Sequence, residues 1–161
     1  MTPIKPLYGF EILDIVRADP EISAFFKGVI AYDQLKLIQQ ANFPCAFILN
    51  SDSSKNKGEH WLLIFLPNNN LGIVLDSLQF PIQLYTELFL TVLKKCKIIQ
   101  TAPFRVQSLN SAACGYHALF ALFMLKKFNI HEIFKYIYEK GNYNLNDEIA
   151  YFCIQYFRSS M

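Results

Sequence analysis

The chain has 161 residues, 53% of them hydrophobic and 17% charged, too apolar for a disordered segment and suited to one packed domain over 1–161 burying roughly two-thirds of its unfolded surface. A formal net charge of +2 falls far short of the clustered basic excess of a nucleic-acid-binding domain, so nucleic acid is allowed as a partner but unsupported. The cysteines at 45, 96, 114 and 153 form no C-x-x-C pair and no Cys/His set at zinc-ligand spacing, so no structural metal is expected and the thiols read as reduced.

The start, MTPIKPLYGFEILDIV, lacks the basic, apolar and small-residue segments of a secretory signal, so an intracellular, unsecreted protein is expected. A helix is predicted over 9–17 and a strand over 46–50. The polar run SDSSKNKGE, 51–59, is the one clear long loop, and it leads directly into His60.

HWLLIFLP and LGIVLDS flank the triplet Asn68-Asn69-Asn70 and are rich in strand-forming residues, which predicts a β-hairpin. With the turn centred near Asn69, antiparallel pairing sets residue 60 or 61 opposite about residue 76. His60 and Asp76 then meet at the open end of the hairpin.

Apolar residues at Ile82, Tyr85, Leu88, Phe89, Val92 and Leu93 recur at spacings of three and four, predicting a helix over 81–95. KIIQ and FRVQS read as short strands. After Asn110 and Ser111, either of which could cap a helix, ACGYHALFALFMLKKF is apolar nearly all round and predicts a buried helix with Cys114 in its first turn. Its longest apolar stretch, 118–125, is far below the roughly 18 to 20 residues that cross a bilayer, so no membrane partner is expected. Two further helices are predicted, over 131–140 and 146–158, about a turn at Gly141-Asn142. No internal repeat or linker interrupts this order. It describes an α+β domain, and a monomer is the expectation.

A thiol attacks as the thiolate, which unpaired N–H groups at a helix N-terminus and a neighbouring imidazole both stabilise. Cys114 has the first by position, and His60 is the candidate base, with Asp76 to fix its tautomer. Gln107 lies seven residues before Cys114, at the end of the expected FRVQS strand. Its amide can donate to a developing oxyanion together with the Cys114 backbone N–H. Each residue has an ordinary structural alternative: a packed thiol, an edge histidine, a turn carboxylate. The joint arrangement favours chemistry. His117, three residues after Cys114, competes as a base, but it points behind the nucleophile and has no evident carboxylate partner. His131 reads as a helix-start residue.

FRVQSLNSAACGYHALF, with GEHWLLIF and VLDS, resembles the adenovirus-type maturation protease, adenain, within the clan of proteases that release ubiquitin-like proteins. N-S-A-A-C-G is the specific part, and the likeness covers roughly residues 25 to 120. It implies a papain-like or adenain-like α+β fold: a mostly antiparallel central sheet, flanking helices, and the nucleophile at a buried helix N-terminus. It assigns His60, Asp76 and Cys114 to a triad and Gln107 to the oxyanion hole. It also implies cleavage of viral capsid and core precursors at small-residue, glycine-containing sites, in the virion and in the nucleus or cytoplasm of the infected cell. The alternative within the clan is a deconjugating or processing protease for ubiquitin-like proteins. Members can be activated by a peptide or by DNA. Cys96 falls where an activating-peptide disulfide would form, though a half-buried structural thiol fits it equally well. A decayed protease fold kept as a binding module is the non-enzymatic reading.

Overall fold

The computed structural model describes residues 3–56 and 59–160. Helices α1 (Gly9–Arg17) and α2 (Pro20–Phe25) precede strand β1 (Phe26–Ala31), helix α3 (Lys36–Gln40) and strand β2 (Cys45–Asn50). The hairpin strands β3 (Trp61–Leu66) and β4 (Leu71–Leu75) follow, then helix α4 (Thr86–Leu93), strand β5 (Ile98–Thr101) and helices α5 (Cys114–Met124), α6 (Ile130–Tyr136) and α7 (Tyr143–Ser159).

The five strands form one sheet in sequence order. Its centre, β2 to β3 to β4, is antiparallel as expected, whereas β1 runs parallel to β2 and β5 parallel to β4. Parallel neighbours need a crossover, and α3 and α4 supply one at each edge. The fold is the expected α+β arrangement of a central sheet flanked by helices.

Both sheet faces are covered, which is why β2 to β4 read as nearly continuous apolar runs. Leu63 and Ile73 pack with α1, α5 and α7 on one side, while Leu62, Ile64 and Val74 pack with Leu88 and Val92 of α4 on the other.

The hairpin register, Leu63 opposite Leu75 and Phe65 opposite Ile73, centres on Asn69 as predicted. The Asn68 side-chain oxygen accepts from the N–H groups of Asn70 (2.8 Å) and Leu71 (3.1 Å), closing the turn locally. His60 and Asp76 each stand one residue beyond their strand.

Several expectations are corrected. FRVQS is an irregular segment rather than a strand; Pro103 has no N–H to continue a ladder, and the N–H groups of Val106 and Gln107 both donate to the Ser77 carbonyl at 3.0 Å. The helix over 81–95 divides into a 3₁₀ turn, Ile82–Tyr85, followed by α4. Neither Asn110 nor Ser111 caps α5, whose boundary residue is Ala113 with no side-chain cap. The α2, β1 and α3 elements fall where the sequence patterns predict none, because runs of five or six residues are too short to show a period. Part of the expected 51–59 loop, residues 57 and 58, lies outside the described residues.

Candidate active site

Cys114, His60 and Gln107 line one open cleft of about 670 Å³, together with Leu7, Gly9, Trp61, Ser111 and Ala112. Cys114 opens α5, and because no side chain caps that helix, its first-turn N–H groups are left for an anion in the cleft. Only 8% of Cys114 is exposed. Gly115 explains how the helix end sits so close to its neighbours: a Cβ there would lie 3.1 Å from Leu7 and 3.2 Å from Trp61. The Trp61 indole N–H donates to the Leu7 carbonyl at 3.0 Å, which ties the N-terminal segment to β3 beside the nucleophile.

The His60 Nε2 lies 2.6 Å from Asp76 Oδ1, within a buried pair. Asp76 also accepts from the N–H groups of Leu78 at Oδ1 (2.8 Å) and Phe80 at Oδ2 (3.0 Å), and the Phe80 ring stands edge-on to the imidazole, 5.6 Å between centroids. Burial opposes ionisation of Asp76, but His60 and the two backbone donors outweigh it and hold the carboxyl below its usual range. Burial likewise opposes the imidazolium. The hydrogen bond to Asp76, helped by the hydrogen bond and charge of Cys114 in its thiolate form, overcomes it and raises His60 to about 9. A carboxylate can only accept, so Nε2 carries a proton toward Asp76, and Nδ1 is the ring nitrogen left to face Cys114.

Gln107 is 1% exposed and held at three points. Its backbone N–H donates to the Ser77 carbonyl (3.0 Å), its Oε1 accepts from the Ser77 hydroxyl (2.6 Å), and its Nε2 donates to the Ser111 carbonyl (2.9 Å). A primary amide has two N–H donors, so one remains for a ligand in the cleft. The structure therefore brings together His60, Asp76, Cys114 and Gln107 from four separate segments.

The other candidates lie elsewhere. Cys96 packs beneath α4, 3% exposed, with its thiol donating to the Asn68 carbonyl at 3.3 Å. Burial pushes that thiol up, so it is not presented to an outside peptide as folded. His117 does have a carboxylate partner, contrary to expectation: its Nε2 lies 2.8 Å from Asp147 Oδ1 on α7, and its Nδ1 lies 2.9 Å from the Tyr138 hydroxyl. Burial outweighs Asp147 and lowers His117, which keeps the ring neutral, accepting from Tyr138 and donating to Asp147. Asp147 Oδ2 also accepts from the Ser108 N–H at 3.3 Å, so this buried cluster anchors the segment next to Gln107.

Sequence patterns assign no role to Ser77 or to Asp147, which lies thirty positions from its partner. A Ser directly after the candidate Asp is the one local sign available for Ser77. Among the described residues no cluster of three or more His, Cys, Asp or Glu side chains is placed to hold a metal, and no helix is long and apolar enough to cross a membrane.

No protein-family model and no curated protein sequence matches this chain. Solved structures do. The AvrA delL154 structure with IP6 and CoA superposes with a TM-score of 0.51 at 15% identity, over 73% of this chain and 47% of that one. The ASFV pS273R protease gives a TM-score of 0.39 at 22% identity, over 66% of this chain and 44% of that one. The chain thus spans somewhat under half the length of either, and the likeness to the AvrA structure is one of fold.

Proposed function

We propose that this chain is a cysteine endopeptidase in which Cys114 attacks the scissile carbonyl, His60 shuttles the proton, Asp76 orients His60, and Gln107 with the Cys114 N–H stabilises the oxyanion. The observation that carries the reading is the buried 2.6 Å His60–Asp76 pair in the same cleft as a thiol at an uncapped helix N-terminus. A packing cysteine has no need of either neighbour. In the attack, the thiolate adds to the carbonyl carbon while the π pair moves to oxygen, and imidazolium His60 then protonates the departing amine. Water releases the acyl group by the reverse sequence.

The motif around Cys114 supports the adenain type, and with it the trimming of viral capsid or core precursors at small-residue, glycine-containing sites. Gly9 and Trp61 line the cleft beside the nucleophile.

The test is cleavage of a peptide library, with and without duplex DNA or inositol hexakisphosphate, by the protein and by Cys114→Ala. Glycine-containing products that vanish in a folded Cys114→Ala variant are expected. Undiminished cleavage by that variant overturns the reading. Labelling by ubiquitin-like probes bearing a C-terminal electrophile, with no cleavage of capsid-type peptides, would instead assign the deconjugating activity.

A further inference from the structure

Asp76 and Ser77 are adjacent at the end of β4, yet they serve different halves of the candidate machinery. Asp76 holds the base. Ser77 is bound twice to the segment carrying Gln107: its carbonyl accepts from the N–H groups of Val106 and Gln107, and its hydroxyl lies 2.6 Å from Gln107 Oε1. Ser77 is 7% exposed and is not among the residues lining the cleft.

We propose that Ser77 is a positioning residue for oxyanion stabilisation: its hydroxyl holds and polarises the Gln107 amide so that one N–H faces the cleft. This rests on the reading of Cys114 as nucleophile and Gln107 as oxyanion donor. The Ser111 carbonyl can only accept, so the group 2.9 Å from it is the amide nitrogen, and Oε1 falls to Ser77. The Ser77 hydroxyl must then donate. One amide N–H is occupied by Ser111, and the rotamer that satisfies both partners directs the other away from them. A hydrogen bond accepted at the amide oxygen also draws electron density from the nitrogen, which strengthens that N–H as a donor. Without the Ser77 hydroxyl, Oε1 is buried with no partner, and the amide is free to turn toward whatever satisfies it.

Two small reagents separate this role from a structural one. p-Nitrophenyl acetate acylates Cys114 through a tetrahedral oxyanion: the S–C bond forms, p-nitrophenolate departs with the electron pair of the C–O bond, and S-acetyl Cys114 remains. Iodoacetamide alkylates the same thiolate by displacing iodide at a saturated carbon, with no oxyanion. Ser77→Ala is expected to slow Cys114 acetylation by roughly tenfold, short of the roughly 100-fold or more for losing a donor outright, and to leave the alkylation rate within twofold. Ser77→Thr, which keeps the hydroxyl, restores acetylation, and in a Gln107→Ala background Ser77→Ala adds no further loss. Should Ser77→Ala fail to fold, Ser77→Cys, similar in size and a weaker donor, carries the same comparison, with mass spectrometry resolving the modified residue. Equal slowing of both reagents, or a full Ser77→Ala effect without Gln107, overturns the proposal. If the unmodified protein is not acetylated at Cys114 faster than a free thiol, the catalytic reading itself fails and this role falls with it.

Discussion

His60 Nε2 and Asp76 Oδ1 lie 2.6 Å apart, sixteen positions apart in sequence, because the β3–β4 hairpin turns about Asn69 and ends with one of them on each arm. The pair is set by strand register, so a one-residue slip would turn both side chains away from each other. Its energetics follow from burial: each partner is unfavourable alone and stabilised by the other.

Asp76→Asn keeps the side-chain shape but removes the carboxylate charge and leaves one acceptor oxygen for the three donors Asp76 serves, the His60 Nε2–H and the Leu78 and Phe80 N–H groups. Peptide cleavage is expected to fall on the order of 100-fold or more, chiefly in kcat. Steady-state kinetics on a library-derived peptide measures it, and a loss confined to KM would count against the triad.

The stability of the pair depends on pH from both sides. His60 is raised from 6.5 to about 9, so its contribution is fully present below about pH 6.5 and is lost as pH rises through about 9. Asp76 is lowered from 3.8, so its contribution is present above that value and lost as pH falls through the lower folded one. Thermal melts across this range should show Tm falling toward pH 9, with a flatter alkaline limb in His60→Gln. An unchanged limb in that variant would place the titration elsewhere.

The Asp147 cluster makes a separate prediction. Asp147→Ala strands the buried His117 Nε2–H and the Ser108 N–H, and should cost about 2 to 4 kcal/mol of stability, read as a lower urea midpoint. A double substitution with His117→Leu should recover part of that loss, since the stranded donor on the ring is then gone.

Gly115→Ala brings a methyl to 3.1 Å from Leu7 and 3.2 Å from Trp61, tighter than an ordinary contact. A loss of about 1 to 3 kcal/mol is expected, with greater protease sensitivity of the N-terminal segment held by Trp61. Limited proteolysis with mass spectrometry would show whether the first cut moves there.

Thiol labelling should follow access, with Cys114 on the cleft and the half-buried Cys153 reacting ahead of the two core thiols. Cys45 and Cys96 are buried in the core beneath α4, and burial pushes both thiols up, whereas Cys114 opens onto the cleft. A disulfide reagent should modify Cys114 and Cys153 in the native protein and reach Cys45 and Cys96 only on unfolding; rapid labelling of Cys96 would revive it as an anchor for a peptide.

What the sequence determined by itself is what short-range chemistry encodes. The asparagine triplet sets the hairpin turn, the apolar runs beside it set the strands, and together they bring His60 to Asp76. The apolar segment after Ala113 is a buried helix whatever surrounds it, so Cys114 at its start is legible too. Only the tertiary structure decided the rest. Gln107 is placed by Ser77, thirty positions away, and not by a strand of its own. His117 finds Asp147 on α7, a helix that packs against α5 in the core. Such contacts depend on how whole elements pack, and no local period or turn signal specifies which side chains that packing will bring together.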